Sequence, residues 1–248
     1  MNPSIVAIAQ ARMGSNRLPG KVLMTFNGEP SLMHFSTRVK QAKMIDKLII
    51  ATSTLPQDDA IEGFCQRNGI VCCRGSESDV LDRYYNAALE HSADFYVRLT
   101  ADSPLIDPYI IDATIKYFLD NDYDYISNGL SPDLGLTFPR GMDCEVFSSN
   151  LLVETWKNAK ELYEREHVTP YMYKKNRNWA FYHNPEYTPN ISNIRLTLDT
   201  PEDFNMISKV YDALYHGKHD FYLPEILEFL AQHPDVIEIN SHVRQKTM

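Results

Sequence analysis

The sequence predicts an α/β protein with a doubly wound, mostly parallel sheet and a small α+β insertion. Two observations predict this fold. Short apolar segments alternate with helical segments of about 10–14 residues through the first half of the chain, and turn residues separate them. The chain has 248 residues, which is enough for one such domain with a substantial core.

Strands are predicted where short apolar runs end in loops rich in glycine, proline or polar residues. The first strand is Ile5–Gln10, and the following ones are 47–52, 70–73, 94–100 and 123–127. Helices are predicted between the strands because apolar residues recur there three or four positions apart. They are 30–43, 57–67, 79–91 and 108–119, with Ser78 as the expected N-cap of the third.

The pattern changes after Ser127. Residues 129–192 are predicted to form an insertion that contains a strand of a separate small sheet at 141–147, a helical stretch at 151–176 interrupted near Pro170, and a strand at 179–183. A strand at 194–198 and a helix at 201–215 then complete the main domain. That domain therefore comprises residues 1–128 and 193–248.

Composition and charge limit the possible partners. No apolar run reaches the roughly 18 residues that cross a membrane, and the first apolar stretch is too short for a signal peptide. The net charge of −9 argues against binding to nucleic acid or to an anionic membrane. The four cysteines contain no C-x-x-C pair, which predicts reduced thiols in a cytoplasmic protein.

The loop after the first strand, residues 10–21, is locally basic. Residues 1–28 contain no acidic residue but do contain Arg12, Arg17 and Lys21. Ligands of doubly wound sheets bind beyond the carboxyl ends of the strands, where these cations and backbone N–H groups could cradle a triphosphate. The loop is not a Walker loop, because Gly-x-x-x-x-Gly-Lys is absent. A solvated turn is the alternative, since glycine, serine, asparagine and proline favour turns.

Two aspartates follow predicted strands at the same edge of the sheet. Asp102 comes directly after the strand at 94–100, and Asp199 directly after the strand at 194–198. Mg²⁺ takes few protein carboxylates and completes its coordination with water and phosphate oxygens, so the pair is predicted to bind Mg²⁺. The alternative is a helix cap, especially for Asp199, which precedes Thr200-Pro201-Glu202.

The string Ala11-Arg12-x-x-Ser15-x-Arg17-Leu18-Pro19-Gly20-Lys21 resembles the signature loop of the CMP-sugar synthetases, which include CMP-Kdo synthetase and acylneuraminate cytidylyltransferase. Length and motif order resemble most the spore coat polysaccharide cytidylyltransferase-like group. The resemblance implies a Rossmann-like, GT-A-like nucleotidyltransferase fold. It also implies CTP triphosphate binding by the loop residues Ala11, Arg12, Ser15, Arg17 and Lys21. Uridylyl- and guanylyltransferases use a glycine-richer loop, so CTP is favoured.

Other segments resemble the same family. Asp102-x-Pro104 and Asp199-Thr200-Pro201-Glu202-Asp203 resemble its metal elements, which implies both aspartates as Mg²⁺ ligands, although Ala101 replaces the usual glycine. Asp82 and Arg83 match the end of a Thr-Asp-Arg segment that contacts the nucleotide, and a surface helix turn is the alternative. The candidates for the sugar acceptor site are Arg140, Asp143, Glu145 and His167. His167 is alternatively a packed or surface residue.

These observations predict an enzyme that transfers CMP from CTP to a sugar hydroxyl with release of pyrophosphate, for a surface polysaccharide or glycan. Lys21 and Arg12 would stabilise the transition state. A homodimer is expected, with the insertion as an acceptor-binding or dimerisation lobe. One alternative is a GT-A-like glycosyltransferase, which would use an Asp-x-Asp motif such as 120–122 or 122–124. A second alternative is a protein that binds nucleotides without catalysis.

Overall fold

The computed structural model describes residues 3–129, 138–175, 178–183 and 191–244. The strands in chain order are β1 (Ile5–Gln10), β2 (Thr25–Phe26), β3 (Glu29–Pro30), β4 (Lys47–Ser53), β5 (Val71–Gly75), β6 (Phe95–Thr100), β7 (Tyr125–Ser127), β8 (Glu145–Ser148) and β9 (Trp179–Phe181). The helices are α1 (Ser31–Val39), α2 (Asp59–Arg67), α3 (Val80–Glu90), α4 (Pro108–Leu119), α5 (Ser149–Asn158), α6 (Leu162–His167), α7 (Pro170–Lys175), α8 (Pro201–Leu214), α9 (Leu223–Gln232) and α10 (Pro234–Glu238).

Seven of these strands form one sheet in the order β5-β4-β1-β6-β8-β7-β9, and β2 and β3 form a separate hairpin. β8 runs antiparallel to both of its neighbours, while the other described pairs of the large sheet are parallel. The doubly wound, mostly parallel fold predicted from the sequence is therefore confirmed.

The central strand β1 is buried on both faces, which is why its sequence reads as a continuous apolar run. Ala7 and Ala9 face one core cluster, which includes residues of α1, α2 and α4. Val6 and Ile8 face a second cluster, which includes residues of α3 and α5. A third cluster packs α8 and α9 against the chain at 194–198. These layers hold the carboxyl ends of β1 and β6 rigidly beside each other.

The predicted separate small sheet is wrong, because β8 inserts into the large sheet between β6 and β7. Val146 and Phe147 are fully buried on opposite faces of the sheet, and Glu145 pairs across the strands with Arg98. Burial on both faces requires a central position in the sheet. The ligand-binding or dimerisation role predicted for 129–192 stays a prediction.

The predicted strand at 194–198 is also wrong, since the segment is extended but joins no sheet. It pairs with residue Arg140 through one isolated bridge, in which Arg140 N donates to Ile194 O at 3.1 Å and Leu196 N donates to Arg140 O at 2.7 Å. The position next to β6, where the segment would otherwise pair, is taken by β8.

Capping interactions set the helix boundaries, which the apolar periodicity of the sequence predicts only approximately. α3 is capped by Asp79, which accepts a hydrogen bond from Asp82 N, and not by Ser78. The stretch 151–176 divides into three helices. A capping box at Glu161 begins the second, and Val168, with φ 71°, ends it. Among the described residues, no helix is long and apolar enough to cross a membrane.

Candidate active site

The loop after β1 folds back on itself at the carboxyl edge of the sheet. Ser15 N and Gly20 N both donate to Met13 O at 2.9 Å, and Leu18 N donates to Ser15 Oγ at 3.4 Å. Gly20 has φ 72°, a conformation that favours glycine. The buried carboxylate of Asp58 accepts from Met13 N at 2.7 Å and so anchors the loop. This turn directs the next residue, Lys21, back into the protein.

Lys21 meets both predicted metal ligands. Its Nζ lies 2.6 Å from Asp102 Oδ2 and 2.7 Å from Asp199 Oδ1, and its side chain is 11% exposed. Burial acts to lower the pKa of Lys21, but the two carboxylates outweigh burial and raise that pKa. The pKa of Asp199 is lowered, since its cations, Lys21 first, outweigh the effect of burial. Lys21 and Asp199 are therefore both charged at neutral pH.

Asp199 also contacts two arginines. Arg17 Nη2 lies 3.0 Å from Asp199 Oδ2, and Arg195 Nη2 lies 2.6 Å from the same oxygen. The guanidinium of Arg195 also donates from Nε to Asp203 Oδ1 at 2.9 Å. Asp199 therefore pairs with Arg195 from its own segment of the chain and with Arg17 from the loop after β1.

Backbone hydrogen bonds hold the two aspartates side by side although they are far apart in sequence. Leu198 N donates to Asp102 O at 2.7 Å, and Thr197 Oγ1 donates to the same carbonyl at 3.2 Å. The extended segment 194–198 thus serves to deliver Asp199 to the end of β6. The structure brings together Arg17, Lys21 and both aspartates, as the sequence predicts.

Arg12 and Arg83 form a second cationic position beside the loop. Arg83 is 3% exposed, and its Nε and Nη1 have no hydrogen-bond partner among the described residues. Burial, and to a lesser extent the charge of Arg12, lower the pKa of Arg83. Arg83 packs so closely on Gly75 that a Cβ there would lie 2.7 Å from Arg83 Cγ. A buried guanidinium with two unpaired nitrogens indicates a site for an anion or a polar ligand.

Asp82, the neighbour predicted to act with Arg83, joins two helices instead. Its Oδ1 accepts from Trp156 Nε1 of α5 at 2.8 Å, and its Oδ2 accepts from Asn86 Nδ2 at 2.8 Å. The carboxylate therefore packs α3 against α5.

Glu145, a predicted acceptor-site residue, is buried within a hydrogen-bonded network. Its carboxylate pairs with Arg98 and accepts from Tyr125 OH at 2.5 Å and from Thr169 Oγ1 at 2.7 Å. His167 lies close enough to interact with Arg98 and Glu145, and burial lowers its pKa. With its acceptor oxygens already bonded, Glu145 positions its neighbours.

The other two predicted acceptor-site residues lie nearer the aspartates. Asp143 accepts from Gly141 N at 3.1 Å. Burial raises its pKa, and its charge interacts with that of Asp102. Arg140 is partly exposed, and its side chain forms no ion pair with any residue in the described part of the chain. The segment 140–143 thus lies beside the segment 194–198, which leads to Asp199.

Three residues of the site were missed by sequence reasoning. Arg195 lies two and four positions before Thr197 and Asp199, so the period of an extended chain places all three on one face. Asp203, which the sequence places only as the last residue of the motif 199–203, binds Arg195. Asp58 lies beyond the carboxyl end of β4, where the topology places functional loops. The alternation at 195–199 is the signal that could have identified Arg195.

The Asp-x-Asp strings at 120–124 lie at the opposite edge of the sheet. Asp120 caps the end of α4 and pairs with Lys116 at 2.6 Å. The strings end directly before β7, which begins at Tyr125. Because α4 returns from the carboxyl end of β6, its last residues lie at the amino ends of the strands. These acids are therefore remote from Lys21. They cannot serve as the metal-binding motif that the glycosyltransferase alternative requires.

The fold and the site belong to a known class of nucleotidyltransferase. A solved cytidylyltransferase from Leptospira borgpetersenii superposes with a TM-score of 0.84 at 31% identity, covering 99% of this chain and 98% of that one. The family model described as cytidylyltransferase matches residues 6–227. The chain belongs to the cytidylyltransferase family, and the resemblance noted in the sequence is confirmed.

Two relatives match over nearly their whole length. An uncharacterised protein of Methanocaldococcus jannaschii is 40% identical over 247 residues, which cover 98% of this chain and 97% of the relative. The spore coat polysaccharide biosynthesis protein SpsF of Bacillus subtilis is 35% identical over 243 residues, which cover 93% of this chain and 95% of the relative.

Proposed function

We propose that this cytidylyltransferase transfers CMP from CTP to a sugar hydroxyl and releases pyrophosphate, for the synthesis of a surface polysaccharide or glycan. The observation that carries the proposal is the convergence of Lys21 with Asp102 and Asp199 in one crevice beside a basic loop. The similarity to a protein named for spore coat polysaccharide biosynthesis supports a polysaccharide pathway.

The two aspartates fit the requirements of a Mg²⁺ ion. One oxygen of each approaches the same ammonium group, at 2.6 and 2.7 Å, so the pair already converges on a single cation. Hard carboxylate oxygens suit Mg²⁺, which keeps water and phosphate oxygens as its other ligands. We therefore propose Asp102 and Asp199 as the residues that hold Mg²⁺. When bound, the ion would offset the negative charge of the triphosphate.

The reaction would be an in-line displacement at the α-phosphorus of CTP. The sugar oxygen forms a new bond to phosphorus, the bond to the β-phosphate breaks, and pyrophosphate leaves. Lys21 exchanges its carboxylate partners for an α-phosphate oxygen and, with Arg12, stabilises the charge that develops there. Ser15 and Arg17 bind the remaining phosphates. The loop itself is fixed by its backbone hydrogen bonds and by Asp58, so it orients the triphosphate for the attack.

The nucleotide specificity can be tested directly. We expect CTP with Mg²⁺ to raise the melting temperature of the purified protein more than ATP, GTP or UTP with Mg²⁺ does, because ligand binding stabilises the folded state by mass action. Pyrophosphate release from CTP should then require a sugar acceptor, which a panel of neutral, amino and acidic sugars would identify. Removal of divalent cations with a chelator should abolish release. Transfer from a preformed nucleotide sugar, without use of CTP, would contradict the proposal.

Arg83 provides a second test, with effects of opposite sign on binding and stability. Arg83→Met should weaken CTP binding by about 10-fold or more, since a hydrogen bond to a charged group contributes about 1.5–3 kcal/mol. The same change should stabilise the free protein by about 1 kcal/mol, because a buried charge without partners is replaced by an apolar chain. Calorimetric titration with CTP and urea unfolding measure the two effects.

The matched control for Arg83 is Arg67→Met, which changes an exposed arginine on α2 and should alter neither quantity. Unchanged CTP affinity in the Arg83 variant would exclude Arg83 from the nucleotide site.

A further inference from the structure

Three metal-ligating side chains meet outside the candidate active site. They are Glu29 of β3, His34 of α1 and His219 in the connection between α8 and α9. One ligand atom of each lies within 4.8 Å of the other two. His34 is fully buried, His219 is 7% exposed, and Glu29 is partly exposed. The cluster is thus enclosed by protein but open to ions from the side of Glu29.

The imidazole of His34 is held from behind as that of a metal-binding histidine is. His34 Nε2 lies 2.8 Å from the backbone oxygen of Phe26. A carbonyl oxygen only accepts, so Nε2 carries the proton and the lone pair of His34 is on Nδ1. That Nδ1 lies 2.8 Å from His219 Nε2. A backbone carbonyl behind the distal nitrogen is the common outer partner of a metal-binding histidine, and it sets both tautomer and ring orientation.

Contacts behind the ligands keep the cluster in place. Gln41 Nε2 donates to His219 O at 2.9 Å, which fixes the connecting loop on the turn after α1, and the charge of Glu29 acts on Tyr215 nearby. Arg38 donates hydrogen bonds to the carbonyl oxygens of Ile106 and Phe221. Its charge opposes a cation at the cluster, and the carboxylates of Glu29 and Asp220 offset it.

We propose that Glu29, His34 and His219 bind one transition-metal dication of the Zn²⁺ type, with water as the fourth ligand. Two imidazoles and a carboxylate are a ligand set that Zn²⁺ accepts, whereas Mg²⁺ prefers the all-oxygen pair Asp102 and Asp199. Zn–N bonds of about 2.0–2.1 Å at a tetrahedral angle separate two nitrogens by roughly 3.3 Å. To admit the ion, the rings need to part by about half an ångström and turn so that both lone pairs converge on it. The proton that His219 Nε2 shares with His34 Nδ1 then moves to His219 Nδ1 or to water.

The bound ion would connect three segments, one of which follows the lysine of the candidate active site closely in the chain. The β2–β3 hairpin begins shortly after Lys21–Leu23, and Ser31 N donates to Met24 O at 2.7 Å across its base. His34 and His219 add α1 and the α8–α9 connection. The ion would thus be a structural clamp, separate from the transfer chemistry, because none of its ligands is part of the crevice around Lys21.

The test uses the full chain after metal removal, with Mg²⁺ in excess to occupy oxygen sites, and Zn²⁺ alone as the probe. We expect one tightly bound Zn²⁺ per chain by calorimetry and a rise in melting temperature on addition of Zn²⁺. Loss of an outer partner weakens metal binding by about 10–100-fold. Glu29→Gln and His219→Gln, which remove a ligand, should therefore weaken binding by about 100-fold or more. Glu29 is partly exposed, so its variant should still fold.

Two control variants separate this cluster from other histidines. His216→Gln changes an exposed histidine in the same connection, and His91→Gln changes the group formed with Cys73 and Glu90; both should retain the tight Zn²⁺. With Co²⁺ as a spectroscopic substitute, the visible absorption of a four-coordinate site should appear in wild type and both controls and vanish in Glu29→Gln. Absence of tight Zn²⁺ from the wild type, or its retention in both ligand variants, would show that His34 and His219 form only a hydrogen-bonded pair.

Discussion

Replacing Lys21 with methionine is expected to lower kcat for CTP-dependent transfer by on the order of 10²–10³, the usual cost of losing one preorganised charge donor. Methionine keeps much of the length and apolar volume of the lysine but removes the ammonium group. The side chain is 11% exposed between two carboxylates, so water cannot easily replace that charge. Steady-state measurement of pyrophosphate release at saturating CTP gives the effect directly.

The same variant should bind Mg²⁺ more tightly in the absence of nucleotide. In the wild type, the ammonium of Lys21 neutralises Asp102 and Asp199 and competes with any ion for their oxygens. Higher Mg²⁺ affinity together with lower kcat would distinguish a catalytic role from damage to the fold. Lys43→Met, at an exposed lysine, is the control and should change neither value. Wild-type turnover in Lys21→Met would exclude Lys21 from the chemistry.

Replacing Asp203 with alanine is expected to reduce the free energy of unfolding by about 3–5 kcal/mol, the cost of breaking a buried ion pair. Asp203 is fully buried, and its two oxygens accept five hydrogen bonds. The donors are Arg195 Nε at 2.9 Å, Arg195 Nη2 at 3.2 Å, Asn240 Nδ2 at 2.9 Å, Asp199 N at 3.0 Å and Thr200 N at 3.0 Å. Its removal takes from the buried guanidinium of Arg195 one of the carboxylates that it binds.

Urea unfolding of the Asp203 variant measures that loss, and activity assayed well below the unfolding midpoint measures a second effect. Asp199 is oriented through its own backbone N–H and through Arg195, both of which Asp203 binds, so kcat should also fall. Glu202→Ala, one residue earlier on the partly exposed side of the same helix, should leave the unfolding midpoint close to that of the wild type. Equal stability of the two variants would mean that the Arg195–Asp203 pair does not stabilise the fold.

Much of the candidate site could be predicted because its parts lie at the ends of regular strands. The loop at 10–21 follows β1 directly, and Asp102 follows β6 directly, and these two strands are neighbours in the sheet. Parallel neighbours bring their carboxyl ends to one edge. The apolar run of each strand and the glycine or proline that follows it were therefore sufficient to place the basic loop and Asp102.

Other parts depended on contacts that no local pattern records. β8 has four residues, and its antiparallel place between β6 and β7 is determined by burial of Val146 and Phe147 on opposite faces. The segment 194–198 has the composition of a strand but joins no sheet, because β8 occupies the position next to β6. The burial of Arg83 depends on its contact with Gly75, eight residues away across a turn, and periodicity alone favoured an exposed helix turn.

The sequence by itself determined the order of the large-sheet strands and their helices from β1 to β7, the basic loop and the two aspartates. Each of these depends on chemistry within about ten neighbouring residues. Only the tertiary structure decided that Lys21 lies between Asp102 and Asp199, that Arg195 and Asp203 support them, and that His34 meets His219. The contacts of Lys21 with the two aspartates and of His34 with His219 join residues 81 to 185 positions apart. Side chains so distant in sequence meet only after the sheet and its helices have packed.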